Sequence, residues 1–429
     1  MPNNNLNKNV SQIVLPTFLK GFSSDLVLTK TINRQILEGK INNKTGESVQ
    51  VKRPHQFRTE KTKDGNLTGK DPSALVSATA TATVDEYITV LVEWSQLEEA
   101  IKLNQLDTIL SPVARTMATE LETRIANFML ANGALNIGIA GSGLTKWDEV
   151  ARAGSLFTDL GVVGSKTYAA ISPWAAADLA GQQTALSNPA LVGSAWEKAQ
   201  IPRNFAGLDS VFSTNSLVTR TTGAYGDATE LTVASDPVVD YVDVKDSYQF
   251  SVTLTGATAS TTGFLKAGDQ LVFSATAWVN QMNKQPILGS TGGTIAFTCT
   301  VMKDADTDDS GNITVTCSGV PIYDDELPQY NTVARQVASG DTVMIRGQSG
   351  KLIKPSMFYT DDFIGLSTIK LPKLHSIDSS IISWQGLSIR AHKWSDGMAN
   401  NQYMRFDLLP AFACFNPHKG GQLFGGTGV

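Results

Sequence analysis

Charge is scarce in this sequence. Only 17% of its 429 residues are Asp, Glu, Lys or Arg, while 41% are apolar. A chain so lightly charged, with 36 glycines and many Thr, Ser, Asn and Ala, suits a surface held against other surface better than that of a dispersed monomer. Cysteine is rarer still. Three residues at unrelated spacings make neither a disulfide framework nor a zinc site, so free thiols are expected. No run of about 18 apolar residues occurs, and no basic segment leading into an apolar one follows Met1. Neither a membrane span nor a secretory signal is indicated, and folding in a cytosol is expected. The net charge of −5 is too small to name a partner, but its distribution is uneven. Residues 223–350 hold 15 acidic and 6 basic side chains, a net of −9, which leaves the rest of the chain at +4.

Residues able to do chemistry do not converge. Asp304, Asp306 and Asp308 have the opening spacing of a calcium loop, yet the sixth position is Asp309 where such loops need Gly, and the twelfth is Val315 where they need Glu. A polar hairpin tip closed by Ser310-Gly311-Asn312 accounts for the same residues. His55, His375, His392 and His418 are scattered, and packing or hydrogen bonding is the expected role of each. No Gly-x-Ser-x-Gly elbow presents a nucleophile, and Gly141-Ser142-Gly143 and Gly292-Gly293 lack the Lys of a phosphate-cradling loop. No catalytic residue, cofactor site or metal site is assigned, and no sequence-specific nucleic-acid module is present.

What the chain does have is a long helix. Ser111 and Pro112 read as its N-cap and first residue, and Gly133 reads as its left-handed stop. Val113, Met117, Leu121, Ile125 and Phe128 form the apolar stripe between them. About 20 residues at 1.5 Å each give a rod of roughly 30 Å. Before it, residues 1–9 are polar, and Val10–Leu37 reads as an arm of short helices broken at Pro16 and Gly21. A long β-hairpin follows, with Ser48–Arg53 as one strand and Val76–Glu93 as the other. Ala78, Ala80, Ala82 and Val84 alternate there with Thr79, Thr81 and Thr83. Its charged tip, Arg58 to Asn66, is either a solvated loop or a segment reaching a neighbouring molecule.

After the long helix the pattern is mixed. A helix beginning near Thr145 carries Trp147, Val150, Leu156 and Leu160 toward a core, Tyr168–Ile171 is a strand, and Ser172-Pro173 opens a helix over Trp174–Ala180. From about Gly223 to Gly350 there is no helical period. Short alternating runs, Tyr248–Leu254, Gln270–Phe273, Thr294–Val301, Ile313–Cys317 and Thr342–Ile345, predict an all-β barrel or sandwich inserted into the host domain and able to fold by itself. Cys299 and Cys317 are equidistant from residue 308, so a symmetrical hairpin would set them opposite each other as free thiols. Trp384–Trp394 and Tyr403–Phe415, joined by Ser395-Asp396-Gly397, form a last hairpin.

This order of elements resembles the coat proteins of short-tailed lambdoid bacteriophages, which elaborate the Hong Kong 97 capsid fold. Similar in detail are Gln96-Leu97-Glu98-Glu99-Ala100, Leu371-Pro372-Lys373-Leu374-His375-Ser376 and Arg405-Phe406-Asp407-Leu408-Leu409-Pro410. The implied fold is α+β. Its parts are an N-terminal arm (1–38), an extended hairpin loop (39–94), the spine helix with the first part of the core (95–222), an inserted β-domain (223–350) and the rest of the core with the tail (351–429). The resemblance implies a non-enzymatic subunit of hexamers and pentamers in an icosahedral shell. It implies assembly in the host cytoplasm as a procapsid around a scaffolding protein, with a portal protein and packaged double-stranded DNA as further partners. It also implies that one loop of the insertion touches a neighbouring capsomer, and the charged stretch with Asp243, Lys245 and Asp246 is the positional choice. For the hairpin tip, Arg58, Lys61 and Lys63 would meet Glu98, Glu99, Glu120 and Glu122 on a neighbour's spine helix and its leading segment. A secreted β-rich adhesin or surface-layer protein is the alternative of another class.

Overall fold

Ala114, Ala118, Glu122 and Ala126 follow one another at single-turn spacing, and all four are buried. They lie on helix α2, Leu106–Asn132, in a computed structural model of the protein. The structure describes residues 15–34, 37, 48–69, 73–95, 106–162, 164–183, 204–373, 379–384, 386–398 and 401–426. Helix α2 begins earlier than its sequence signals predict, with Pro112 inside it. Leu110, Met117, Leu121, Ile125 and Met129 complete the buried face, while Val113 and Phe128 are only half-buried. The stripe is therefore rotated from the predicted one toward the small residues. Gly133 does end the helix, but not through a left-handed backbone. Its N–H still donates to Met129 O (3.0 Å), and a Cβ there would sit 3.0 Å from the backbone of Gly420 and Gly421. Close approach of another strand requires this glycine.

The chain forms two compact units. The first comprises residues 1–51, 81–126 and 364–414. Helix α1, Leu15–Asp25, runs unbroken in it, since Pro16 occupies the first turn, where no N–H is missed, and Gly21 permits approach to the Cβ of Ala114, 3.4 Å from where its own Cβ would stand. Phe18 stacks on Phe406 at 4.3 Å, covering the apolar face of a sheet ordered Ser379–Trp384, Leu387–Asp396, Asn401–Leu408, Ile88–Ser95. The last hairpin is thus Leu387–Asp396 with Asn401–Leu408, Asp396 facing Asn401. Arg390 and Arg405 both hold the fully buried Asp407, whose carboxyl burial would push up but which these arginines and Thr89 keep below its ordinary range.

The predicted return strand of the long hairpin is two strands, broken at Asp85–Tyr87. Thr79–Val84 pairs with Pro410–Cys414, and Ile88–Ser95 pairs with Asn401–Leu408. The alternation itself holds: Ala78, Ala80 and Ala82 are buried, and Thr81 and Thr83 are exposed. Between Arg53 and Ala78 the described residues form turns and coil, with no strand.

The second unit comprises residues 52–80, 127–363 and 415–429. Its five-stranded sheet is ordered Leu135–Ile137, Gly420–Leu423, Ser356–Thr360, Thr167–Ile171, Ser210–Ser213, with helices α3 (Trp147–Asp159) and α4 (Pro173–Gln183) in the same unit. The serine–proline start of α4 is as expected, Ser172 Oγ accepting from Ala175 N at 3.2 Å. Trp147 is half exposed, against expectation, because it precedes the buried stripe of Val150, Leu156 and Leu160.

The insertion is a closed six-stranded antiparallel barrel: Gln270–Ala277, Ala296–Val301, Ile313–Ser318, Gln249–Thr255, Glu230–Val233 and Thr342–Ile345, which returns to the first. Phe250, Leu271, Phe273, Phe297 and Val343 are among the side chains of its core. Its ends meet where the sequence changes style, Gly350 N donating to Gly223 O (3.0 Å), and Arg220–Thr221 pairs with Leu352–Ile353 below. Asp308 closes a turn by accepting from Ser310 N and Asn312 N, while Asp306 takes Gly263 N and Asp304 takes Ala267 N. Each carboxylate thus anchors a loop, the role of a polar hairpin tip. Val301, not Cys299, lies opposite Cys317. The predicted register is wrong by a diagonal step, yet Cys299 and Cys317 remain buried free thiols on adjacent strands.

Candidate assembly surfaces

On the first unit a groove of about 770 Å³ runs between the start of strand Ile88–Ser95 and the N-terminal half of α2. Tyr87 and Thr89 border it on one side, with Arg115, Thr116, Glu120 and Arg124 on the other. The rim is charged but tied down. Arg124 is held by Glu120 (2.9 Å) and Asp85 (3.2 Å), and Arg115 by Asp25 (3.1 Å). Glu120, although paired with Arg124, keeps about half its side chain exposed.

Glu122 is a correction. It was expected to face a neighbour, but it is 1% exposed, and its oxygens accept from Leu28 N (2.6 Å), Thr29 N (2.9 Å) and Thr29 Oγ1 (2.6 Å). Burial pushes its carboxyl above the ordinary range, against the lowering by these bonds. The sequence did carry a signal for this, since Glu122 continues the line Ala114, Ala118, Ala126 that a helix places on one face. Glu98 and Glu99 lie outside the described residues, as does His375.

On the second unit, the loop segment is pinned at its base and open at its tip. Arg53, 6% exposed, is the anchor: Nε donates to Thr79 O, two further nitrogens donate to Phe415 O and Asp246 O, and the guanidinium lies 4.0 Å from the centre of the Tyr248 ring. No sequence signal singled out Arg53. Gln56 Oε1 accepts from Lys284 Nζ (3.2 Å), whose amine burial lowers to about 8. Beyond these residues Lys61 and Lys63 are exposed and make no ion pair among the described residues, whereas Arg58 is already paired with Glu60 at 2.9 Å. Phe57 and Leu67 are exposed along the same segment.

Asp243, Lys245 and Asp246 follow the short helix α5, Tyr241–Val244, or lie in it. Asp243 is exposed, but Asp246 is occupied within the chain. Its Oδ1 accepts from Thr79 N (2.8 Å) and Thr79 Oγ1 (3.0 Å), and its Oδ2 from Lys245 (3.0 Å). Although partial burial raises it, these bonds keep its carboxyl below the ordinary range. It ties the returning segment to the barrel. His392 stacks with Trp394, and His418 packs between Tyr248 and Trp278.

Surfaces of this kind, built from exposed loop and helix edges, suit assembly. Comparison with known proteins agrees. The family model described as "P22 coat protein - gene protein 5" matches residues 1–425. A curated relative, the major capsid protein of Acyrthosiphon pisum secondary endosymbiont phage 1, is 53% identical over 424 residues, covering 98% of this chain and 99% of that one. Solved structures with some likeness include the capsid of cyanophage P-SCSP1u (TM-score 0.41, 11% identity, 92% of this chain and 86% of that) and Mycobacterium phage Che8 (TM-score 0.43, 11% identity, 92% and 89%).

Proposed function

Since this chain belongs to the P22 coat protein family, we propose that it closes first into a procapsid around a scaffolding protein and matures as DNA enters through a portal. It is a major capsid protein, the shell-forming subunit of a phage virion. The observation that carries this function is the 53% identity to a major capsid protein along nearly the full length of both chains. It also removes the adhesin alternative. Arm, loop, spine helix, mixed core and inserted barrel occur in the order expected of the Hong Kong 97 fold.

Hexamers and pentamers assemble in the host cytoplasm, no catalytic step or membrane is involved, and DNA is enclosed without sequence recognition. Between subunits, Lys61 and Lys63 at the loop tip meet Glu120 on a neighbour's spine helix, with Arg58 contributing only if it leaves Glu60. Asp243 and the exposed Val242 of α5 face the next capsomer, while Lys245 and Asp246 hold that turn in place. An exposed ion pair contributes about 0–1 kcal/mol, but a shell repeats each contact many times. Electron microscopy of the protein produced with and without its scaffolding partner tests the reading. Closed shells of uniform size with the partner are expected. Only amorphous aggregate or monomer under both conditions would overturn it.

A further inference from the structure

Strand Ile88–Ser95 closes its sheet on one side and leaves the other side open. Its eight residues pair without a bulge to Asn401–Leu408, and among the described residues no strand lies along its outer edge. An edge of this kind presents a row of unused N–H and C=O groups, and chains that must stay apart blunt it with lysine, proline, a bulge or brevity. None of these devices is present here. The strand reads Ile-Thr-Val-Leu-Val-Glu-Trp-Ser, Glu93 is its single charge, and that carboxylate already accepts from Asn401 Nδ2. Leu91, at its middle, is 56% exposed. Other edges in the fold differ. Ser48–Lys52 ends in a lysine, Leu135–Ile137 and Ser210–Ser213 have three and four residues, and at the far edge of the same sheet Arg34 lies over Trp384 at 5.9 Å.

There is room beside this strand. The groove of about 770 Å³ runs along Tyr87–Val90, and its opposite wall includes the exposed residues Pro112, Thr116 and Thr119 of α2. These side chains are short, and Thr116 gives its hydroxyl hydrogen to Pro112 O (3.0 Å). The charges at the rim are already matched, since Arg115 meets Asp25 at 3.1 Å, and Arg124 meets Glu120, Asp85 and the Glu86 carbonyl at 2.9–3.2 Å. An occupant therefore has to be extended and nearly free of charge, with backbone groups to offer.

Strand Ile88–Ser95 of a second copy meets those terms. Two copies that pair antiparallel about a two-fold axis normal to the sheet must set one residue against itself. Glu93 in that place would oppose two carboxylates, and Val92 would set Leu91 against Glu93. Leu91 in that place brings the two exposed leucines together, sets Val90 against Val92, and puts Glu93 against the uncharged Thr89.

We propose that Ile88–Ser95 of two subunits pair in this register across a two-fold axis of the shell, joining their four-stranded sheets into one. The inference rests on the chain's role as a shell subunit, because closed shells of identical subunits supply such axes. The pairing uses the strand edge and the floor of the groove, and it leaves the outward half of Glu120 to the loop tip.

The test uses the full-length chain assembled with its scaffolding partner. Leu91→Cys, treated in the shell with a bis-methanethiosulfonate of one-carbon span, should join most subunits into covalent dimers. The wild type, with Cys299 and Cys317 buried and Cys414 half-buried, should stay monomeric under the same treatment. Glu93→Cys should also stay monomeric, because this register holds the two copies of residue 93 about 13 Å apart along the strands. Leu91→Lys opposes two ammonium groups and should lower shell yield several-fold, while the Tm of the unassembled chain stays near that of the wild type. Leu91→Thr, uncharged and suited to a strand, should assemble normally. Well-formed Leu91→Cys shells without dimers, equal dimer yield from Glu93→Cys, a crosslink to the scaffolding partner in place of a second copy, or wild-type shell yield from Leu91→Lys would overturn the pairing and leave the shell-forming role intact. Absence of shells from the wild type would overturn the role itself, and this inference with it.

Discussion

Glu122 holds Thr29 by two hydrogen bonds, one from its amide (2.9 Å) and one from its hydroxyl (2.6 Å), and so fastens the segment after α1 to the middle of the spine helix. Glu122→Ala would leave the buried amides of Leu28 and Thr29 unbonded. The expected loss is about 2–4 kcal/mol, with earlier proteolysis of residues 15–34. Wild-type denaturation midpoint and protease pattern would contradict it.

His418 is completely buried beside Trp278 and Tyr248. Burial, with the charges of Arg53 and Lys284, lowers its pKa from 6.5 to about 3. The folded protein thus binds fewer protons than the unfolded chain between those values. Stability from the neutral ring is complete above pH 6.5 and declines as pH falls toward 3, by on the order of 5 kcal/mol in full. Glu122, raised by burial, acts in the opposite sense above pH 4.5. Denaturant titrations at pH 7, 5 and 4 should show the decline, and His418→Phe should flatten it.

Lys61→Glu with Lys63→Glu should leave monomer stability within about 0.5 kcal/mol of wild type, since both side chains are exposed. Shell assembly should nevertheless fall, most at low salt, where the pairing is least screened. Light-scattering yields equal to wild type at every salt concentration would return the tip to a solvated loop.

Gly133→Ala should destabilise by about 1–3 kcal/mol, although alanine is the better helix former. Its Cβ would stand 3.0 Å from the Gly420 carbonyl. If the glycine served only to stop the helix, the change would be neutral or stabilising, and thermal melts separate the two outcomes.

Residues 223–350 expressed alone should fold, because the barrel closes on its own strands and its ends are joined at Gly223 and Gly350. Loss of the bonds that the hydroxyls of Thr298, Thr300 and Ser318, buried in the whole protein, make to Ala134, Gly133 and Asn132 should make it less stable than the whole. Narrow amide dispersion in its spectrum would refute autonomy.

Local periodicity determined much of this. The spine helix, the Ala/Thr alternation of residues 78–83, the Ser172 cap and most of the barrel strands follow from side-chain spacing, because facing and capping depend on residues a few positions apart. Asp304, Asp306 and Asp308 were likewise readable as turn anchors. Three-dimensional packing decided the rest. Glu122 turns inward because amides 93 and 94 residues away need an acceptor, and Gly133 is glycine because a distant strand approaches it. Asp246 is engaged by Thr79 of the returning segment, a pairing no sequence interval encodes. The sequence alone sets which residues can form a helix or a strand. Which polar groups end up buried together, and hence which remain free to meet another subunit, depends on contacts between segments far apart in the chain.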